Sequence, residues 1–309
     1  MIQKPEEQES TGILPPTWRS WWLAARPKTL PAAAAPVIVG SALAFYDSKF
    51  RFGPALAALL AALLLQIGAN YANDVFDFHR GADTHERMGP LRVTQAGLLS
   101  PSKVLVGMWL VFGFAAALGI YLAVLAGWPV ILIGALSILA AVAYTGGPFP
   151  IGYFGLGEVF VFLFFGMAAV AGTYYVQAIQ VTPLALWAAV PMGLLSSAIL
   201  DVNNLRDIRT DRAAGKHTLA ARHGPGWARV EYLLLLGGAY LIPVLLWLLN
   251  LASPWVLLSW GSLVLVPGLV HMVYNETGRA LNATLAGTGR LELVYGLLLS
   301  LGFVIGGFG

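Results

Sequence analysis

The chain has no cysteine, which excludes disulfides and thiolate chemistry. Charge is nearly as scarce: 11% of its 309 residues are Asp, Glu, Lys or Arg, against 58% hydrophobic. That balance is far from a soluble domain's. The net charge of +3 is no nucleic-acid signature in so oily a chain, and where the charges fall matters more than their sum. The N-terminus lacks the charged-then-apolar pattern and small-residue cleavage site of a signal peptide. No two histidines have zinc-ligand spacing. What recurs instead is apolar runs long enough to cross ~30 Å of hydrocarbon, with a mean hydropathy of +0.74. The fold class is therefore all-α, a polytopic membrane helix bundle.

Residues 1–16 read as a disordered, acidic-leaning tail and 17–309 as one transmembrane domain. Three Trp and two Arg within Thr17–Arg26 predict a short interfacial helix ahead of the first span. Nine spans are expected, at roughly 29–46, 54–78, 103–126, 128–145, 154–178, 183–202, 228–250, 254–274 and 290–307. Pro31 and Pro36 are expected to kink the first. With the N-terminus inside, 16 of the 18 Lys and Arg fall on inner segments, leaving only Lys49 and Arg51 outside. The positive-inside rule then orients the chain in a cell (inner) membrane with both long charged connections, 79–102 and 203–227, at the cytoplasmic face.

Those connections carry the chemistry. Asn203, Asp207 and Asp211 stand at i, i+4 and i+8, along one helical face. Asn73 and Asp77 repeat the pair at the end of an earlier apolar run, beside Asp74 and followed by Asp83. Carboxylates near hydrocarbon are costly and mark function by default. Convergent Asp and Asn oxygens favour a hard cation such as Mg²⁺ over Zn²⁺. Arg80, Arg87, Arg92, Arg206, Arg209, Arg212 and Lys216 are interleaved with them, suiting an anion. Cation-holding carboxylates beside anion-holding bases, under an oily bundle, predict an enzyme that ionises a polyprenyl diphosphate. Solvated charged loops, the bland reading, do not account for two such pairs at equivalent helix ends. A secondary transporter is the rival from another class, but it would place its polar residues near mid-membrane, and here they crowd one face.

Several segments occur in the order found in one family: Ala25-Arg-Pro-Lys-Thr-Leu-Pro31, Asn73-Asp-Val-Phe-Asp77, Gly89-Pro-Leu-Arg-Val-Thr-Gln95, Ala143-Tyr-Thr-Gly-Gly-Pro148, Gly155-Leu-Gly-Glu158 and Asn203 through Leu219. In them the chain resembles the UbiA-type intramembrane prenyltransferase superfamily. Gly-Pro-Leu-Arg and Ala-Tyr-Thr-Gly-Gly-Pro resemble the branch acting on 1,4-dihydroxy-2-naphthoate. The five-residue gap between Asp77 and Asp83, where many members have three, fits that branch too. The resemblance implies nine helices around a central cavity open to the cytoplasm and laterally to lipid. It implies Mg²⁺ held by Asn73, Asp77, Asp207 and Asp211, with Asp74, Asp83 and Asn203 as further ligand candidates, and a polyprenyl diphosphate ionised there. The naphthoate ring would then attack with loss of CO₂ and diphosphate. The other acceptors of the superfamily, 4-hydroxybenzoate and homogentisate, are the nearest alternatives.

Arg80, Arg92, Arg206 and Lys216 are candidates for diphosphate or acceptor carboxylate, without a division of labour. Lys28 reads as a further contact or a snorkelling side chain, and Tyr144 as a cation-stabilising ring or an interfacial anchor. Glu158 reads as an intramembrane functional group or a helix-terminal charge, and Phe160, Phe162, Phe164 and Phe165 chiefly as bundle and lipid packing, with a tail-binding wall as the alternative. The expected partners are the two substrates and the lipid bilayer, with no nucleic acid and no obligatory protein partner.

Overall fold

In the computed structural model, residues 17–82 and 87–308 are described, and among them every regular element is helical. The tail 1–16 and Asp83 lie outside the described residues. The helices are α1 (Thr17–Ala25), α2 (Leu30–Tyr46), α3 (Phe52–His79), α4 (Pro101–Ala126), α5 (Pro129–Ala143), α6 (Gly157–Ala178), α7 (Pro183–Ala213), α8 (Leu219–His223), α9 (Pro225–Leu248), α10 (Pro254–Asn275) and α11 (Leu281–Gly306).

Among the described residues, eight segments are long and apolar enough to span a membrane, with α1 and α2 counted as one. The difference from the expected nine is α5. It is apolar, but its 15 residues rise only ~22 Å, short of ~30 Å of hydrocarbon. The Gly146-Gly147-Pro148 turn stops it early, with Gly147 at φ +71°. Other ends move outward: α7 runs on to Ala213 and carries Asn203, Asp207 and Asp211 on helix rather than loop. Of the two expected kink prolines, Pro31 sits in the first turn of α2, where the missing N–H has no helical partner anyway. Only Pro36 is interior.

The Trp-rich α1 leaves Trp18 and Trp22 exposed and lays Trp21 on Tyr71 of α3, ring centroids 5.5 Å apart. It ends at Arg26, whose left-handed φ of 50° turns the chain sharply into α2. Asn70 pins this turn by donating to the Ala25 carbonyl at 2.9 Å and to Thr29 Oγ1 at 3.0 Å. Arg26 and Lys28 are thereby held over the end of the bundle where α3 and α7 finish.

The apolar face of α2 is built from Ala33, Ala35, Gly40, Ala42 and Ala44, and it packs on α3, α6 and α11. Small side chains let backbones approach in the absence of a hydrophobic drive between helices. A β-carbon on Gly40 would lie 2.4 Å from the Val170 carbonyl oxygen of α6. Gly40→Ala is therefore expected to destabilise the detergent-solubilised protein by about 1–3 kcal/mol, read as a lower thermal midpoint. An unchanged midpoint would mean that α2 and α6 separate freely. Val170 belongs to the stretch Phe162–Ala171 of α6, which winds as a π-helix. The wide turn, common at functional sites, splays the Phe-rich stretch while Gly166 packs on the Gly193 backbone of α7.

Candidate active site

α3 and α7 deliver their acidic ends to the same polar pocket of about 240 Å³. Asn73, Asp77, Asn203, Asp207 and Asp211 all line it, as do Arg92, Lys216, Tyr144 and Lys28. The two stretches singled out in sequence are thus brought together across 130 residues of chain. Beside the pocket lies an apolar chamber of about 560 Å³, lined mainly by Ala, Val, Ile, Leu and Phe. Gln66, Asn73, Tyr144, Val161, Phe165 and Leu200 belong to both walls, so the two spaces adjoin. Phe160, Phe164 and Phe165 line the chamber, as the alternative to packing has it. Phe162 alone of that run is turned away, with its ring against Gly193.

The carboxylates differ in what already holds them. Asp77, 2% exposed, meets Arg92 at 3.0 Å through Oδ2, and both Lys216 at 3.4 Å and the Tyr153 hydroxyl at 3.2 Å through Oδ1. Asp207 is gripped by Arg206 through Nε at 2.8 Å and Nη2 at 2.5 Å, a bidentate pair. Asp211 is also buried in the pocket wall, but among the described residues no hydrogen bond or ion pair engages it. Asn73 accepts from the Thr145 hydroxyl at 3.0 Å. Partly desolvated and near the carboxylates of Glu158, Asp211 and Asp77, the half-buried Tyr144 phenol is pushed well above its ordinary pKa and stays neutral.

Three expected roles change. Asp74, a further ligand candidate, is 1% exposed and accepts the backbone N–H groups of Val93 and Thr94 at 3.1 and 3.0 Å. It anchors the 91–97 turn rather than facing the pocket. Arg80 points away as well, donating to the Thr145 carbonyl at 2.9 Å and to the Gly147 carbonyl. It fastens the Gly-Gly-Pro turn to α3. Arg206 does not line the pocket; it bridges Asp207, Asn203 at 2.7 Å and Asn282 of α11 at 2.8 Å. Asp74→Asn keeps one acceptor of two and is expected to cost about 1–3 kcal/mol. The thermal midpoint should fall while the Mg²⁺ concentration for half-maximal activity stays put; a shifted Mg²⁺ requirement would restore Asp74 as a ligand.

Sequence reasoning missed Arg26, Tyr153 and Asn282. Arg26 lines the pocket. Tyr153 lies between two segments already recognised, in the Ile-Gly-Tyr turn Ile151–Tyr153, and also lines it. Asn282 holds the Met88 carbonyl at 2.9 Å and so ties the 87–92 loop to α11. Its signal was masked because Arg290, exposed inside α11, made the last span look shorter than it is. Glu158 of α6 accepts from Asn204 at 2.8 Å and is a buried tie between α6 and α7.

Among the described residues, five basic side chains (Arg26, Lys28, Arg87, Arg92, Lys216) and three acidic ones (Asp77, Asp207, Asp211) line the pocket. The donor oxygens that these and Asn73 and Asn203 offer come from carboxylates and amides, with no sulfur or imidazole among them, which fits a hard cation. No group of three His, Cys, Asp or Glu among the described residues is clustered so as to hold an ion by itself. With cationic side chains interleaved among the carboxylates of the described wall, a cation carried by a strongly anionic ligand is accommodated. The pocket suits a metal-bound polyanion with an oily tail.

The sequence profile of the UbiA prenyltransferase family matches residues 33–301. The chain belongs to that family. It is 41% identical over 285 residues to the 1,4-dihydroxy-2-naphthoate octaprenyltransferase of Mycobacterium tuberculosis, covering 92% of this chain and 96% of that one. It is 37% identical over 298 residues to the Haemophilus influenzae enzyme of the same name, covering 93% and 96%. Its fold is similar to a UbiA homologue from Archaeoglobus fulgidus bound to DMAPP and Mg²⁺, with a TM-score of 0.65 at 13% identity over 91% of this chain and 99% of that one. The helical bundle with its polar pocket and oily chamber is thus a UbiA-family membrane protein.

Proposed function

We propose that this UbiA-family protein transfers a polyprenyl group from an all-trans polyprenyl diphosphate to 1,4-dihydroxy-2-naphthoate, releasing diphosphate and CO₂ and giving demethylmenaquinol, the hydroquinone form of demethylmenaquinone. The observation that carries the reading is the apolar chamber adjoining a pocket of acidic, amide and basic side chains, a division that matches a donor with an oily tail and a polyanionic head. The naphthoate relatives select this acceptor over 4-hydroxybenzoate and homogentisate.

Asn73, Asp77, Asn203, Asp207 and Asp211 are the residues that would hold Mg²⁺, with Asp83, six positions after Asp77 in sequence, as a further candidate. When bound, the ion supplies Lewis-acid withdrawal of charge from the leaving diphosphate. Lys216, Arg92 and Arg87 line the same pocket and oppose the remaining negative charge. Arg26 and Lys28, beside the left-handed turn, line the same pocket, which supports assigning them the acceptor's carboxylate. Asn73 and Tyr144 sit where pocket meets chamber, so the allylic carbon that leaves the diphosphate oxygen lies beside them. The Tyr144 ring offers its face to the developing cation, and the Ala- and Phe-lined wall keeps water from it. The ring carbon of the acceptor forms the new C–C bond. The pair from its bond to the carboxylate returns to the ring as CO₂ departs.

Residues 17–309 act as one membrane domain in this reading. The Lys and Arg asymmetry supports placing it in the cell membrane with the N-terminus and the site on the cytoplasmic side. The test uses purified protein with Mg²⁺, a polyprenyl diphosphate and naphthoate labelled at the carboxylate, following CO₂ and prenylated product together. Both are expected to appear jointly and to vanish with EDTA or in Asp211→Asn. Product from a different aromatic acceptor alone would move the protein to another branch of the family.

A further inference from the structure

We propose that Tyr153 is a positioning residue that lets Lys216 pass from Asp77 to the donor diphosphate without leaving the site. The inference rests on reading the pocket as a metal–diphosphate site.

Asp77 Oδ1 is shared by the Tyr153 hydroxyl at 3.2 Å and Lys216 Nζ at 3.4 Å, while Oδ2 is held by Arg92 at 3.0 Å. For Asp77 to turn an oxygen to a cation, one basic partner has to withdraw. The Arg92 side chain is 5% exposed, whereas that of Lys216 is 18% exposed, on the longer contact, and carried by the turn that follows α7. Lys216 is therefore the partner that yields. An ammonium released into a pocket of this kind would ordinarily swing to solvent, but Nζ lies 4.7 Å from the Tyr153 ring centroid. The Arg80 guanidinium lies 5.4 Å from the centroid of the same ring. The ring is a docking face for Lys216 in both positions. The hydroxyl stays on Asp77 and compensates the carboxylate when the ammonium leaves.

The backbone couples the two partners independently of these side chains. The Tyr153 carbonyl accepts from the His217 N–H at 2.8 Å, one residue past Lys216. Gly155, at φ +74°, permits the approach, since a β-carbon there would sit 2.8 Å from the His217 carbonyl oxygen. Tyr153 and Lys216 thus move as one unit against α3.

The experiment measures binding of inorganic diphosphate with Mg²⁺, without turnover, by protection against thermal unfolding, alongside kcat and KM for the polyprenyl diphosphate. Tyr153→Phe keeps the ring and loses the hydroxyl. It is expected to weaken Mg²⁺–diphosphate binding about tenfold and to raise donor KM in proportion, with kcat near wild type. Tyr153→Leu also removes the docking face and is expected to lose roughly another three- to tenfold. Tyr153→Phe combined with Lys216→Ala should fall short of the sum of the two single changes. If Tyr153→Leu does not fold, the Phe variant and the double variant decide alone. Wild-type binding in Tyr153→Phe, with binding lost in Asp211→Asn, would overturn the role of Tyr153 and leave the pocket reading standing. Wild-type binding in Asp211→Asn as well would overturn both.

Discussion

Changing Asp211 to asparagine is expected to lower prenyl transfer by about 10²- to 10³-fold with no loss of thermal stability. The two halves of that expectation come from one structural fact. Asp77 is compensated by Arg92 and Lys216, and Asp207 by Arg206, but Asp211 is buried without such a partner among the described residues. A carboxylate in that position is unfavourable until a ligand supplies the missing positive charge, so neutralising it costs the unliganded protein nothing. Asp207→Asn is the instructive contrast. It leaves the Arg206 guanidinium, whose side chain is 2% exposed, facing a neutral amide, and loss of one charge from a buried pair costs on the order of 3–5 kcal/mol. A stable but inactive Asp211→Asn beside a destabilised Asp207→Asn, compared by thermal unfolding and turnover in the same detergent, is the expected pattern. Asp211→Asn with wild-type turnover would remove this residue from the site.

The two acidic stretches were legible because their spacing is a helix property: i, i+4 and i+8 need no tertiary knowledge. That α3 and α7 meet was legible only through the resemblance. The division of labour among the basic residues was not legible at all, since it is decided by partners far away in sequence. Arg80 is drawn off by carbonyls of the turn after α5, and Arg206 by Asn282 of α11. Asp74 and Asp77, three residues apart and both buried, look alike in sequence and do opposite things, one facing the 91–97 turn and the other the pocket. The count of spans differs only at α5, whose 15 residues are short for a span, yet it returns the chain to the pocket, where Tyr144 just past its end meets the ends of α3 and α7. A central cavity was expected, but which side chains line the chamber was hidden, because an apolar lining and a packed core have the same composition.

That chamber carries the second large expectation. Gly134 of α5 lines it, and a β-carbon built there meets no atom within 4 Å. A large side chain at 134 therefore projects into open space instead of colliding with the bundle, and replacing glycine within a helix favours the helix by roughly 0.5–1 kcal/mol. Gly134→Trp is expected to fold as well as the parent and to obstruct the isoprenoid tail at a distance from the diphosphate. Turnover with octaprenyl diphosphate should fall at least about a hundredfold, the size expected when misplacement at a remote contact spoils alignment of the reacting atoms. Turnover with geranyl diphosphate, whose tail need not reach residue 134, should change little. The quantity to measure is the ratio of kcat/KM for the two donors in both proteins. A parallel fall with both donors would mean that the plug disturbs the pocket itself. An unchanged ratio with full activity would mean that the tail takes another path across the bundle, and the assignment of the chamber to the donor would fall with it.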